Sequence, residues 1–411
     1  MSFLPLTRIE ASGCWDAFLP TVGQYAARRS FVEPCHPHVS RLSAALRHRL
    51  LTEDQVIRDT LSRFRFAEAE KWLQEVCWRR YWKGWLELRP QVWTNWRERV
   101  QVLRETLPPK ILERAEAVAA GESGVACMDL FARELIETGY LHNHARMWWA
   151  SFWIHAEGLP WELGADFFFR HLLDADPASN TLSWRWVAGL QTRGKTYLVR
   201  LSNLETYGRA TLLRAPGGSE RIADGAVKPT FQKEWADTTK HSLPALPASP
   251  PPSTGRAGLW LHADDLAPEV GPLAGFTPQT VAAFTSDRTY RERYRLGAKR
   301  IAALHTVLGD GTARAAAHYG CQATLSDADD TVSGIGAWAE SHQLSEVVAF
   351  APMVGPIGDL VPRLSKHLGA RDIRLTLLRR SSDAHAFALA NGGFFPFWEQ
   401  MSRHLQTNSV P

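Results

Sequence analysis

Two domains of different class are predicted for this chain: an all-helical segment over 1–214 and a Rossmann-like α/β segment over 258–411. Three observations predict them. Apolar residues recur at helical spacing almost throughout the first half. Short apolar runs separated by helical patterns fill the last third, as a parallel sheet with crossover helices requires. Between them, 215–257 contains APGGSERIADG and LPALPASPPPSTG, a Pro/Gly/Ser-rich linker with no regular structure expected.

In the helical half, Val39 to Leu61 keeps a three- and four-residue apolar step, with Thr52 and Gln55 as a capping signal. Phe66 to Leu88 repeats the step with many aromatics and stops before Pro90. Met128 to His155 forms a third pattern, interrupted near Gly139, and Pro160 opens a further helix through Leu172. Beyond the linker, 258–262, 281–284, 346–352 and 372–378 read as strands, and Glu292–Leu308 and Ile357–Leu368 as helices. No GxGxxG follows any strand, so dinucleotide binding there has no motif.

Composition bounds the function classes. Hydrophobic content of 45% and charged content of 22% fit a globular chain. The net charge is +4, and 1–214 holds the whole excess, with 28 Lys+Arg against 24 Asp+Glu. Such a small imbalance does not by itself establish a nucleic-acid surface. The five cysteines, Cys14, Cys35, Cys77, Cys127 and Cys321, have no metal-ligand spacing, which predicts no metal site and suits a reducing cytoplasm. The N-terminus lacks the pattern of a secretory signal, and no run of about 18 apolar residues predicts a membrane span.

Two features carry chemistry. Twelve of the seventeen tryptophans lie between Trp72 and Trp186, denser than helical packing needs; flat rings also hold flavins, stack on bases and relay electrons. Asp174, Asp176 and Asn180 fall within seven residues, with Trp184 and Trp186 just beyond. Read alone, such a cluster is a helix cap or turn.

ETGYLHNHARMWWASFWIHAEGLPWELGADFFFRHLLDADPASNTLSWRW (137–186) resembles the flavin-binding segment of the DNA photolyase/cryptochrome family, with its TGWxHNRxRM and DGDxAxNxxxWxW patterns. EKWLQEVCWRRYWKGW (70–85) is similar to the family's WLxELIWREFYxH helix, and YAARRSFVEPCHPHVSRLSAAL (25–46) to its YxxxRD…TSxLSxxL segment. More weakly, GLWLHADDLAPE (258–269) and GGFFPFWEQMSRHL (392–405) resemble the first strand and last helix of the α/β domain that normally leads. The resemblance therefore implies a circularly permuted order: FAD-binding domain first, α/β domain second.

The resemblance implies FAD as cofactor and assigns roles by position. Tyr25, Ser40, Leu42 and Ser43 match residues at the flavin phosphates, with Val39 replacing the family's Thr. Trp72 matches a flavin-contacting Trp, Arg146 and Asp174 the pair beside the isoalloxazine, and Asp176 a residue at its polar edge. Asn180 matches the residue facing N5; a neutral amide does not readily supply a proton, which suits a fully reduced flavin. On the substrate side, Glu75 matches the acid that binds the damaged base, Trp78 and Trp186 two aromatic walls, and Asn143 and Met147 pocket residues. Arg29, Arg79 and His144 match DNA-contacting positions, although the family's Arg is His144 here. Trp184 and Trp161 match the inner members of an electron-transfer chain, whose outer member would fall near Val118 and has no Trp; Trp148, Trp149 and Trp153 offer another exit.

The expected activity is a blue-light-driven lyase that splits pyrimidine dimers in damaged DNA by electron transfer from reduced FAD. The alternative is a cryptochrome-like photoreceptor without repair activity, which would signal through a protein partner. The family often carries an antenna chromophore as well, for which no motif is present.

Overall fold

Apolar residues on both faces of a short strand predict burial within a parallel sheet. In the computed structural model, which describes residues 4–192, 195–208, 217–249 and 256–407, five strands form one sheet. They are β1 (Ala257–Leu261), β2 (Thr280–Thr285), β3 (Gln322–Asp327), β4 (Glu346–Phe350) and β5 (Arg374–Leu378), ordered β3-β2-β1-β4-β5. Every pairing is parallel, and Gly258 lies opposite Thr280 on one side and Val347 on the other. Trp260 packs with Ile335, Trp338, Leu364 and Leu368, so the Thr331–Ser341 and Val361–Gly369 helices cover one face.

Strand β3 was not among the expected strands. Its sequence, QATLSD, lies at the sheet edge and is nowhere fully buried, so it carries no apolar run to read. The helix expected over Glu292–Leu308 is two, Asp287–Glu292 and Ala298–Tyr319, broken where Arg295 takes a left-handed φ of 53°. Val39 to Leu61 likewise splits into Ser43–Arg47 and Glu53–Arg63, around Arg49 at φ 53°. The Thr52 hydroxyl accepts from the Gln55 N–H at 3.2 Å, as the capping signal anticipates. The Phe66–Glu87 helix runs unbroken, Ala126–Thr138 and Asn143–Ser151 are separated at Gly139, and Trp161–His171 follows Pro160.

The chain forms two compact units that do not follow the expected domain limits. The first holds Thr21–Arg41 and Arg89–Thr239; the second holds Leu4–Pro20, Leu42–Leu88 and the α/β segment from Lys240. Helices read as part of the 1–214 domain thus join the unit of the sheet. Two contacts within that unit explain the grouping. Gly84 lets the Phe66–Glu87 helix meet the Ser381–Leu389 helix so closely that a Cβ there would lie 2.7 Å from the Phe387 Cα. Beside it lies a buried charge network. Arg49, 1% exposed, donates to Asp265 at 2.8 Å, Asp383 at 2.7 Å and Glu53 at 3.3 Å. Arg380 grips Asp265 with two bonds of 2.8 Å, and Arg80 donates to Asp54 at 2.5 Å. Nearby, Arg47 donates to Asp264 at 2.7 Å, and His48 Nδ1 donates to the Ala263 carbonyl at 2.6 Å.

Ligands of open parallel sheets bind outside the carboxyl ends of the strands where the order reverses. Here that place, the end of β1 beside β4, is filled by Arg47, His48 and Arg49.

The described part of the linker is docked, not free. Ser219–Ile222 is a 3-10 turn, and 229–239 crosses the first unit as an extended strap. Arg185 grips Glu234 through bonds of 2.8 and 2.5 Å, Arg99 lies 4.2 Å over the Trp235 ring, and the Asp237 N–H donates to Asn95 at 2.9 Å. The expected boundary at Arg214 lies outside the described residues. Among the described residues, no helix is long and apolar enough to cross a membrane, and no group of three His, Cys, Asp or Glu side chains could hold a metal ion.

Arg49→Leu would take the guanidinium from the buried Asp383 and Glu53, while Asp265 keeps Arg380, so a loss of about 3–5 kcal/mol in urea unfolding is expected. Near the strap, burial pushes the Glu162 carboxyl up to about 7, with Arg99 only 3.9 Å away. The unfolded chain therefore binds fewer protons than the folded one between the usual carboxyl range and pH 7, and stability falls as pH rises through that window. Glu162→Gln should flatten this slope, by roughly 2 kcal/mol across the window in urea titrations at pH 5 and 8.

Candidate functional site

The residues singled out above fall in both units and are described unit by unit. In the first unit, the break at Gly139 turns the chain back so that the Leu173 N–H donates to the Gly139 carbonyl at 2.9 Å. That contact sets Asp174 beside the Asn143–Ser151 helix. Arg146 donates from Nη2 to Asp174 at 2.9 Å and from Nε to the Leu141 carbonyl at 2.7 Å, so its guanidinium is fixed at two points. Asp174 is buried, and Arg146 keeps a partly exposed edge.

Asp176 caps the Pro177–Val187 helix, accepting from the Ser179 N–H at 2.9 Å, the role expected of an acid at that position. One turn on, Asn180 donates from Nδ2 to the Ala165 carbonyl at 2.9 Å, which fixes the amide and leaves Oδ1 as its acceptor end. Trp184 lies across Gly164, where a Cβ would come within 2.3 Å of its ring. Its ring neighbours are Phe168 at 5.1 Å and Trp149 at 6.2 Å, and Trp149 in turn stacks on Trp153 at 5.2 Å. Trp161 is not among those neighbours; it lines a shallow depression with Trp96, Glu162 and Trp235 under the strap.

Asn143 and Met147 lie one helical turn apart, the first exposed and the second half-buried. Trp186 is half-buried, with its ring 5.8 Å from that of Tyr197. Tyr25 is half-buried beneath Arg29, whose guanidinium lies 5.9 Å from its ring, and Ser40 is half-buried.

His144, which stands where the family carries a DNA-contacting Arg, is held inside the first unit. Its ring stacks on Trp148 at 4.3 Å, and its Nδ1 donates to the Ser30 carbonyl at 3.0 Å. Nε2 is then the lone-pair nitrogen, facing the Tyr197 hydroxyl at 3.5 Å. Burial, with Arg29 nearby, lowers its pKa, so the ring is neutral at physiological pH and offers a hydrogen bond in place of a charge.

In the second unit, Trp72 stacks on Trp15 at 5.7 Å, packs on Phe18 at 5.1 Å and donates to the Thr60 hydroxyl at 3.2 Å. These contacts hold its ring within the second unit. Glu75 pairs with Lys71 at 3.2 Å, one turn before Trp78 on the same helix. Arg79 donates from Nη2 to the Ser43 carbonyl at 3.3 Å, and Leu42 is buried at the start of the Ser43–Arg47 helix. The Ser43 Oγ and the Arg79 Nη1 are buried with no hydrogen-bond partner. Buried polar atoms are normally satisfied, so a hydroxyl and a guanidinium N–H left over side by side fit an anionic oxygen supplied from outside. Ser43 was assigned to the flavin phosphates, and these orphaned donors fit that group.

Sequence reasoning did not find Tyr197, Thr60 or the Ala165 and Ser30 carbonyls. Backbone acceptors have no residue signature, and Tyr197 lies outside the motifs.

Residues 72–211 match the family model "FAD binding domain of DNA photolyase". The deoxyribodipyrimidine photo-lyase of Salmonella typhimurium is 31% identical over 200 residues, covering 45% of this chain and 39% of the relative. That of Escherichia coli is 30% identical over 201 residues, with the same coverage. The chain therefore matches these relatives over 39% of their length. A solved bacterial class III photolyase from Agrobacterium tumefaciens aligns with a TM-score of 0.43 at 26% identity, over 51% of this chain and 44% of its own.

Asp174→Ala removes the carboxylate that fixes Arg146, and the ratio of flavin to protein absorbance in the purified variant is expected to fall well below wild type. Residues 72–211 are thus similar to the FAD-binding domain of DNA photolyases.

Proposed function

We propose that this protein is an FAD-dependent, blue-light-driven DNA photolyase that splits pyrimidine dimers. The observation that carries the reading is the Arg146–Asp174 pair, fixed at 2.9 Å within the segment that matches the photolyase FAD-binding domain. In this reading the helical segment to about Arg214 is the FAD domain and 258–411 is the α/β domain that leads in other members, so the order is circularly permuted.

When bound, reduced FAD supplies a light-excited electron that opens the dimer's cyclobutane ring and then returns. The chain's own groups bind and orient. Tyr25, Ser40, Leu42 and Ser43 hold the phosphates, with Trp72, Arg146, Asp174 and Asp176 around the ring system. Asn180, with Nδ2 held by the Ala165 carbonyl, would offer its Oδ1 to the flavin. A dimer must leave the helical stack to be reached, as in other enzymes that flip bases. Glu75 accepts a hydrogen bond from the extruded base, Trp78 and Trp186 each offer it a ring face, and Asn143 and Met147 complete the contact. Arg29 and Arg79 favour phosphate by charge, and His144 contributes a neutral hydrogen bond. Trp184 and Trp161 belong to the electron path in this reading, with Trp149 and Trp153 as the ring neighbours that continue from Trp184.

One observation favours a sensing role without repair. The neutral, stacked His144 removes a permanent cation from the DNA-facing helix and lowers the expected affinity for phosphate.

The test is recovery of thymine absorbance when the photoreduced protein is illuminated with a dimer-containing oligonucleotide. Recovery is expected in blue light and not in the dark. Glu75→Ala and Trp78→Ala should slow it about ten-fold or more with flavin retained, since base stacking is worth about 1–3 kcal/mol. No recovery beyond the dark control would reject repair and leave the photoreceptor reading.

A further inference from the structure

The tightest ring contact in the second unit is made by one of the residues read above as a substrate wall. Trp78 and Phe394 lie face to face, centroids 3.6 Å apart and planes within 7°. Phe394 opens the Phe394–Thr407 helix and is 5% exposed, so it is itself held. Tyr81 fixes the approach to it, donating from its hydroxyl to the Gly392 carbonyl at 2.7 Å and meeting the Phe394 ring edge-on at 5.6 Å. At the other end of the same turn, Trp398 donates to Glu70 at 3.2 Å. Among the described residues, Trp82 at 5.2 Å and Tyr81, edge-on, at 5.5 Å also meet the Trp78 ring.

An indole has two faces, and Phe394 lies flat against one of them. Trp78 stays half-buried, so part of its side chain remains accessible. A tryptophan with one free face and no backing samples several χ rotamers, and each must be frozen out when a ligand stacks on it. Backing it with a parallel ring settles that orientation in advance.

We propose that Phe394 is a positioning residue for substrate: it locks the Trp78 indole plane so that the face opposite Phe394 receives the π-face of an extruded pyrimidine. The inference rests on the reading of Trp78 as a substrate wall and extends it to a residue near the far end of the chain.

The experiment measures, in the dark, the affinity of the full-length flavin-loaded protein for an oligonucleotide with one thymine dimer and for its undamaged counterpart. Phe394→Leu keeps apolar volume without a plane; Phe394→Tyr keeps the plane. The Leu variant is expected to weaken dimer binding about ten-fold, with undamaged-DNA affinity and flavin content unchanged, and the Tyr variant to stay within about two-fold of wild type. In a Trp78→Ala background, Phe394→Leu should add nothing. Phe394→Met makes the same test if the Leu variant does not fold. Full dimer affinity in the Leu and Met variants, with Trp78→Ala still weakened, would overturn the positioning role alone, as would equal losses on both DNAs. A wild type that binds dimer no better than undamaged DNA would overturn the repair reading, and the positioning role with it.

Discussion

The structure of the second unit depends on one buried guanidinium. Arg49 bonds three carboxylates drawn from distant parts of the chain: Glu53 in its own helical region, Asp265 just after β1 and Asp383 in a late helix. Burying such charges is costly unless each is paired, and here Arg380, Arg80 and Lys83 supply the remaining cations. The strained left-handed backbone at Arg49 is held by the same contacts. The consequence reaches the helix proposed to meet substrate. The helix carrying Glu75 and Trp78 is tied to the α/β segment within one unit, and so Phe394, almost at the end of the sequence, can stack on Trp78.

The first unit relies on a different device. Its candidate side chains are aimed by backbone carbonyls: Leu141 orients Arg146, Ala165 orients Asn180, and Ser30 sets the tautomer of His144. A carbonyl cannot be titrated or lost by mutation at its own position. Orientation of the site therefore rests on helix placement, which close approaches such as that of Trp184 to Gly164 make specific.

Much of this was legible in the sequence. The long amphipathic runs gave Phe66–Glu87 and Trp161–His171 nearly to the residue, and the apolar runs gave four of five strands. The motif around 137–186 pointed to a photolyase-type flavin domain, and the family match to 72–211 agrees. What was not legible has physical causes. Edge strand β3 needs no apolar run; the helix breaks at Arg49 and Arg295 are made by tertiary contacts or by left-handed residues other than glycine; and the grouping of compact units follows buried charge pairs with no local signature. Composition marks the linker as lacking regular structure, and its strap, held by Glu234 and Trp235, has no local signature. His144 matches a position that is cationic in the family; its burial, which lowers its pKa, and its stack on Trp148 come from tertiary packing and have no signature in the motif.

All of these roles presuppose that the helices around Arg146 and Asn180 enclose a flavin. The most direct measurement is mass identification and quantitation of the cofactor released by denaturing the purified chain. Stoichiometric FAD is the predicted result. A colourless protein that yields no flavin, and takes up none on incubation with FAD, would contradict the account at its base.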